Sequence, residues 1–125
     1  MFIRSRDDVP AIEWGQGTSE RLLTAKDNMG FAVAHTVVRA GSEAALQYRN
    51  HLEACYCIAG SGAVYNADRS VRYDIKPGTI YVLDEHDAHY LSASDHEDME
   101  LISIFNPPIT GEEAHTLSEE GFSSY

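Results

Sequence analysis

The segment His51-Leu52-Glu53-Ala54-Cys55-Tyr56-Cys57-Ile58 is the clearest strand in the chain, and Gly60-Ser61-Gly62 stops it. Side chains alternate between the two faces of a strand, so Glu53 shares a face with Cys55 and Cys57. A carboxylate that points into an apolar interior is costly unless a cation or several donors compensate it. The segment therefore predicts a strand of a β-structure with one acid directed towards the interior.

Short strand-like segments recur on both sides of residues 51–58, separated by Gly, Asp, Asn and Pro. They cover residues 17–24, 30–38, 45–50, 63–65, 71–75, 79–83, 89–93 and 100–105. No long helix is indicated, and Pro107-Pro108 ends the last strand. About eight to ten strands without helical crossovers predict antiparallel sheets in a sandwich or barrel. We expect one domain over residues 1–125, whose polar tail from Thr110 to Tyr125 holds a short helix or a lid.

The composition excludes several classes of function. Hydrophobic residues make up 43% of the 125 residues, and nine basic against twenty acidic residues give a net charge of −11. This acidity argues against a nucleic-acid partner. No apolar run of about 18 residues indicates a membrane span, and the charged N-terminus does not resemble a secretory signal. Cys55 and Cys57 are expected to be reduced, packed thiols of a cytoplasmic protein rather than metal ligands.

Two segments resemble the metal-binding motifs of cupin barrels in their spacing. The first segment contains Gly41, Gln47, Arg49, Glu53 and Gly60, and only its glutamate retains a usual cupin ligand, since histidines normally stand at the second and third positions. The second is a Pro77-Gly78 turn followed by Tyr81 and His89. The resemblance implies an all-β fold, a small cupin-type antiparallel β-barrel of the jelly-roll kind.

From the residues alone, each candidate ligand has an ordinary structural alternative. Glu53 can pair with Arg21 or Arg49, Tyr81 can be a core aromatic, and His89 can be a surface or core histidine. A carboxylate, an imidazole and a phenolate together suit iron, with zinc as second choice. The phenol would lose its proton to the charge of the metal.

Longer stretches are similar to ectoine synthase over nearly the whole chain. The matching stretches are Met1–Arg4, Arg21-Leu22-Leu23, Asp27-Asn28, Gly30-Phe31, Tyr48–Ala54, Ile75–Tyr81, Leu83-Asp84, His86-Asp87, His89 and Phe105–Gly111, with Glu113 and His115 beyond them. They occur in the family's order and at nearly constant spacing. The chain therefore resembles a divergent member of this family.

The resemblance implies a cytoplasmic, homodimeric hydro-lyase that closes N-γ-acetyl-L-2,4-diaminobutyrate into the osmoprotectant ectoine with loss of water. It implies Fe2+ as cofactor, held by Glu53, Tyr81 and His89. It assigns further roles residue by residue. Arg21 would bind the substrate carboxylate, Thr36, Tyr48 and His51 would orient the substrate, Phe105 would form a wall, and Glu113 and His115 would transfer protons, with Tyr48 and His51 also catalytic. Without the family, these residues are ordinary surface, strand, core or tail positions, and Arg21 can pair with Glu20 or Asp27.

Several positions depart from the family pattern. The family has a tryptophan near the position of Gly17, whereas the tryptophan of this chain is Trp14, three residues earlier. The family also has an asparagine at the position of Ala34. Ala45 replaces a frequent histidine, and Glu112 replaces a basic residue. These changes leave two alternatives open: a metal-dependent cupin enzyme for another small amino-acid-like substrate, and a non-catalytic cupin that binds a small ligand.

Overall fold

The computed structural model describes residues 1–111 and, as backbone only, residues 116–117 and 123–124. This part of the chain consists of strands and two single-turn 3-10 helices, Arg6–Asp8 and Ala25–Asp27. The strands are β1 Ala11–Glu13, β2 Gly17–Leu23, β3 Ala32–Val38, β4 Glu43–Gln47, β5 Leu52–Ala59, β6 Gly62–Asn66, β7 Arg72–Ile75, β8 Ile80–Leu83, β9 His89–Ala93, β10 Met99–Asn106, β11 Thr116–Leu117 and β12 Ser123–Ser124. The predicted all-β fold is confirmed.

The strands form two six-stranded sheets. The first sheet has the order β1-β2-β3-β10-β5-β8, and the second has the order β11-β12-β4-β9-β6-β7. Their pairings are antiparallel except for β12 beside β4, which is parallel. The strand segments predicted on both sides of residues 51–58 became β2 to β10, whereas β1 and the two short tail strands were not predicted. Whether the tail holds a helix or a lid concerns residues that lie mostly outside the described part.

The core lies between the two sheets, because alternate residues of each central strand turn inward. Burial alternates strictly along β9 and over most of β5 and β10. Val38, Ile75, Leu91, Met99 and Leu101 are almost fully buried, at 2% exposure or less. Burying one such side chain contributes about 1.5–3 kcal/mol, so the alternating pattern stabilises the face-to-face sheets. It also fixes which side chains reach the space between them.

Two glycines permit close approaches that a side chain would block. A Cβ atom on Gly17 would lie 1.7 Å from the carbonyl oxygen of Val37 on the neighbouring strand. Gly60, with φ of +74°, ends β5, and its Cβ would lie 2.1 Å from the carbonyl oxygen of Asp98. The turn predicted at Gly60 is therefore confirmed. The close approach of β3 also explains why a glycine occupies position 17, which the sequence alone did not indicate.

Ion pairs hold the N-terminal segment against β2 and the following turn. Arg4 lies 3.0 Å from the carboxylate of Asp27, and Arg6 lies 2.7 Å from that of Glu20. Arg4 also donates a 2.7 Å hydrogen bond to the carbonyl oxygen of Leu22. Both acids that the sequence offered as surface partners for Arg21 are thus paired with other arginines.

Candidate active site

A small internal cavity of about 30 Å³ lies between the two sheets. Its lining is Trp14, Ser19, Thr36, Leu46, Tyr48, Glu53, Cys55, Tyr81, Leu91, Leu101, Ser103, Phe105 and Ile109. A second, larger cleft of about 550 Å³ opens beside the free edges of β7 and β8, and Tyr81 and His89 contribute to its wall. Tyr81 is the residue that lines both spaces.

The strand register places five inward-facing residues in one row across the first sheet. Arg21 on β2 is opposite Ala34 on β3, which is opposite Ser103 on β10. Ser103 is opposite Cys55 on β5, which is opposite Tyr81 on β8. Arg21 and Ser103, 82 positions apart in the sequence, are thereby brought onto one line of side chains. Every member of the row except Ala34 carries a polar group.

Glu53 lies next to this row, on the same inner face of β5, with only 5% of its surface exposed. Its carboxyl group lies beside the thiol of Cys55, two residues further along the strand. Desolvation by burial raises the pKa of Glu53 to about 8. Within residues 1–111 no ion pair joins Glu53 to Arg21 or Arg49, so the paired-glutamate alternative is wrong. The side chain is a buried acid without a compensating charge from the described part of the protein.

Tyr81 faces the interior close to Glu53. Desolvation by burial raises the pKa of its phenol, and the nearby Cys55 and Glu53 add to this effect. The ring centroid of Tyr81 lies 6.4 Å from that of His89. The structure therefore brings Glu53, Tyr81 and His89 together around the wall between the cavity and the cleft.

His89 has one ring nitrogen bound and the other available. Its Nδ1 donates a 2.9 Å hydrogen bond to the carbonyl oxygen of Asp87, which leaves the lone pair on Nε2. The Nε2 atom is buried and has no hydrogen-bond partner within residues 1–111. Burial also lowers the pKa of His89, which favours the neutral ring. A neutral imidazole oriented through a backbone carbonyl is the usual form of a metal-ligating histidine.

The donor set fits a divalent cation. In the described ranges of the chain no three side chains of the types His, Cys, Asp and Glu are close enough to hold a metal ion. A cation site at this place therefore needs the phenol of Tyr81 beside Glu53 and His89. The unpartnered Nε2 atom and the uncompensated carboxyl group both lack what a cation would supply, since buried polar groups are normally satisfied.

The two positions where cupins usually have histidines serve another purpose. Gln47 donates a 3.1 Å hydrogen bond to the carbonyl oxygen of His86, and the exposed Arg49 donates one of 3.2 Å to the side-chain oxygen of Gln47. His86 in turn donates from Nδ1 to the carbonyl oxygens of Tyr48 and His51. These contacts connect the start of β5 to the loop before β9, so they hold the two segments that carry Glu53 and His89 beside each other.

Arg21 is buried, with 6% of its surface exposed. Its Nε donates a 3.4 Å hydrogen bond to Ser19, and its Nη1 is buried without a hydrogen-bond partner within residues 1–111. The alternative of a surface pair with Glu20 or Asp27 is therefore wrong. A buried guanidinium with an unused donor suits a carboxylate, which it can bind through two parallel hydrogen bonds.

Of the remaining residues assigned to substrate binding, Tyr48 and His51 pack against Phe105, and Thr36 lies on β3. The Phe105 ring centroid lies 5.3 Å from that of Tyr48 and 6.2 Å from that of His51, both in edge-on contacts. Tyr48 also lies 6.5 Å from His89, while His51 donates a 2.7 Å hydrogen bond to the carbonyl oxygen of Pro107. Thr36 borders the cavity from β3, and its hydroxyl lies 2.9 Å from that of Ser103.

Glu113 and His115, together with the departure at Glu112, lie outside the described residues. Their roles remain predictions.

Sequence reasoning missed four polar or aromatic residues of the cavity, namely Trp14, Ser19, Cys55 and Ser103. Trp14 is the chain's single tryptophan, so its identity was a usable signal. It borders the cavity although the family's tryptophan is expected near Gly17, and the contact of Gly17 with β3 leaves no room for a side chain there. Cys55 gave a weaker signal, because alternation placed it on the same face as Glu53.

The jelly-roll sheets and the buried acid, phenol and imidazole define the class: the protein is a cupin. Fold relatives include the polyketide cyclase RemF from Streptomyces resistomycificus, with a TM-score of 0.72 at 17% identity over 96% of this chain and 89% of that one. Sequence similarity goes further, since the family profile described as ectoine synthase matches residues 2–123. The chain belongs to the ectoine synthase family.

Individual relatives agree with this assignment. An L-ectoine synthase from Desulfatibacillum aliphaticivorans is 44% identical over 92% of both chains, and one from Desulfosudis oleivorans is 48% identical over 92% of both. The crystal structure of ectoine synthase from P. lautus superposes with a TM-score of 0.82 at 38% identity, covering 89% of this chain and 81% of that one. The two alternatives, a cupin enzyme for another substrate and a non-catalytic binding cupin, are not favoured by these similarities. In the described residues no helix has the length and apolar character needed to cross a bilayer.

Proposed function

We propose that this protein is a hydro-lyase of the ectoine synthase type that converts N-γ-acetyl-L-2,4-diaminobutyrate to ectoine. The α-amine attacks the carbonyl carbon of the acetamide, a C–N bond forms, and the carbonyl oxygen leaves as water after receiving two protons. The product is a cyclic amidine. Membership of the family supports this reaction. The observation that connects it to the chain's own site is that two buried atoms, Arg21 Nη1 and His89 Nε2, have no hydrogen-bond partner among the described residues.

Substrate positioning follows from the chemistry of each side chain. Arg21 is proposed to bind the substrate carboxylate, because its guanidinium is buried and has an unused donor. Thr36, Tyr48 and His51 are proposed to orient the acetyl-amino chain by hydrogen bonds, with Phe105 as an apolar wall. The substrate then loses the conformational entropy of its open chain on binding rather than on reaching the transition state. Holding the amine against the carbonyl carbon therefore lowers the barrier to ring closure.

We propose Fe2+ as the cofactor, with Zn2+ as second choice, and Glu53, Tyr81 and His89 as the residues that hold it. When bound, the ion supplies a Lewis acid that polarises the acetamide carbonyl. The protein itself keeps the His89 ring in one tautomer through Asp87 and keeps water away from the reacting groups by burial. Glu113 and His115 are proposed to transfer protons to the departing oxygen or from the amine, as the family resemblance implies.

A reconstituted reaction tests this function. The purified protein, loaded anaerobically with Fe2+, is expected to form ectoine from N-γ-acetyl-L-2,4-diaminobutyrate, followed by NMR. Glu53→Ala and His89→Ala should each abolish turnover, whereas Glu97→Ala and His96→Ala, matched changes in an exposed loop, should leave it unchanged. Sustained turnover in both site variants would rule out the proposed metal ligands. Absence of ectoine with the loaded wild type would rule out the reaction.

We also propose a homodimer in the cytoplasm. The outer face of β5, β8 and β10 is apolar and carries the partly exposed side chains Tyr56, Ile58, Ile80, Val82 and Ile104. In a chain with a net charge of −11, a cluster of exposed apolar side chains of this kind is suited to a second copy, since large exposed apolar patches mark interfaces. The two reduced, buried cysteines agree with a reducing compartment.

A further inference from the structure

A chain of hydrogen bonds runs along the inner face of the first sheet. The Thr36 hydroxyl lies 2.9 Å from that of Ser103, and the Ser103 hydroxyl lies 3.4 Å from the Cys55 sulfur. Cys55 is opposite Tyr81 on β8 and shares the inner face of β5 with Glu53, so its thiol lies beside both groups. Four neighbouring strands, β3, β10, β5 and β8, are therefore connected by side chains as well as by their backbones.

Burial makes these bonds consequential. Cys55 is 1% exposed and Ser103 is 2% exposed, so neither side chain can turn to solvent for a partner. A buried polar group without a partner costs far more than its hydrogen bond contributes. The thiol and the hydroxyl therefore have one arrangement available, which restricts the side chains that they contact.

We propose that the Cys55 thiol is a positioning group, which bridges the Glu53 carboxyl and the Tyr81 phenol and, through Ser103, ties both to Thr36. This inference rests on the proposed function, in which Glu53 and Tyr81 bind the cation and Thr36 contacts the substrate. The bridge would hold these three side chains in fixed positions relative to one another. Arg21 stands at the β2 end of the row that contains Ser103, Cys55 and Tyr81, and the His89 ring lies next to Tyr81 at the other end. Within residues 1–111, Arg21 Nη1 and His89 Nε2 have no hydrogen-bond partner, and the carboxylate and the cation are proposed to bind there.

Cys57 provides an internal comparison. It lies two residues further along β5, faces the same way and is also buried, but its sulfur contacts only the backbone carbonyl oxygens of Ala59 and Gly60, at 3.5 and 3.8 Å, in the described part of the chain. The two thiols thus share strand, face and burial and differ in whether they touch the proposed ligands. If both thiols only pack, the same substitution should change cation affinity equally at Cys55 and at Cys57.

Cation affinity and stability, measured on the same variants, separate the two roles. Affinity is measured with Zn2+ against a chromogenic chelator and with Fe2+ under anaerobic conditions, and stability of the metal-free protein by urea unfolding. Cys55→Val keeps an apolar group of similar size but removes the hydrogen bonds, and it should weaken cation binding by about tenfold to a hundredfold, as loss of an outer partner of a ligand does. Cys55→Ser keeps donor and acceptor and should bind close to wild type, although burying a hydroxyl makes it the less stable variant. Cys57→Val should bind like wild type.

Ser103 carries a second test. Ser103→Ala should weaken cation binding and raise the substrate KM through Thr36, and Ser103→Cys should restore both. The effects of Ser103→Ala and Cys55→Val should not add in the double variant, because both break the same chain. If Cys55→Val does not fold, the Ser103 pair measures the same link.

The outcomes separate this inference from the proposed function. Wild-type affinity in Cys55→Val and Ser103→Ala, in a protein that binds the cation and forms ectoine, overturns the bridge alone. A ranking in which affinity follows stability, with Cys55→Ser the weakest binder, also overturns it. A wild type that takes up neither cation overturns the bridge and the proposed metal site together.

Discussion

Replacing Glu53 by glutamine should make the metal-free protein more stable at alkaline pH than the wild type. Burial raises the pKa of Glu53 from the usual 4.5 to about 8, so the folded protein keeps a proton that the unfolded chain releases. Stability is then fully present below about pH 4.5 and is lost progressively as the pH rises to about 8. The amide of glutamine does not titrate, and this pH dependence should disappear.

The size of the effect follows from the same pKa. A tenfold change in proton affinity is worth about 1.4 kcal/mol, so the wild type should lose about 5 kcal/mol across this pH range. Typical domains have a total stability of about 5–15 kcal/mol, so the loss should be easy to measure. The metal-free wild type is expected to be considerably less stable at pH 8 than at pH 5.

Urea unfolding in the presence of a chelator, at steps between pH 5 and 8.5, measures this loss. Glu97→Gln, at an exposed loop position, is the matched control and should retain the wild-type slope. Added Zn2+ should stabilise the wild type and not Glu53→Gln, because binding to the folded state alone raises its stability. Parallel pH curves for the wild type and Glu53→Gln would refute the argument that Glu53 is an uncompensated buried acid.

Three further predictions concern the substrate contact, the close approach at β2 and the apolar face. Arg21→Met should raise the substrate KM by about tenfold to a hundredfold, since a charge-assisted hydrogen bond contributes about 1.5–3 kcal/mol; an unchanged KM in steady-state assays would remove Arg21 from carboxylate binding. Gly17→Ala should lower the free energy of unfolding by about 3 kcal/mol, because its Cβ would lie 1.7 Å from the Val37 carbonyl oxygen, and an unchanged urea midpoint would contradict this contact. Ile80→Glu should halve the mass measured by light scattering while the exposed Lys76→Glu does not, and a wild type already monomeric would exclude the proposed dimer.

The fold was accessible from local sequence because strand periodicity and turn residues are local properties. The alternation around Glu53, the stop at Gly60 and the Pro77-Gly78 turn each predicted a feature that the structure contains. The short strand β1 escaped prediction because only three residues pair there, and its pairing with β2 rather than its own composition defines it. Glu53 could be predicted as a ligand for a related reason. A carboxylate on the inner face of a strand needs a cation or hydrogen-bond donors, whichever strand of the sheet carries it.

Other features of the site depend on strand register, which no single segment contains. Arg21 and Tyr81 are 60 residues apart in sequence and lie in one row only because β2, β3, β10, β5 and β8 pair in one register. The contact between Cys55 and Ser103 has the same origin. The sequence allowed Arg21 to be either a substrate-binding residue or a surface partner of Glu20 or Asp27. Its burial, and the pairing of these acids with Arg6 and Arg4, exclude the surface pair.

By itself the sequence predicted an all-β chain of the ectoine synthase family and, through that resemblance, an acid, a phenol and an imidazole as metal ligands. The tertiary structure decided that His89 Nε2 has no hydrogen-bond partner among the described residues, that Trp14 rather than position 17 supplies the indole beside the cavity, and that the Cys55 thiol meets the Ser103 hydroxyl. The physical reason is that alternation along a strand selects a face, whereas a hydrogen bond or a steric clash requires atoms from distant strands to meet within a few ångströms.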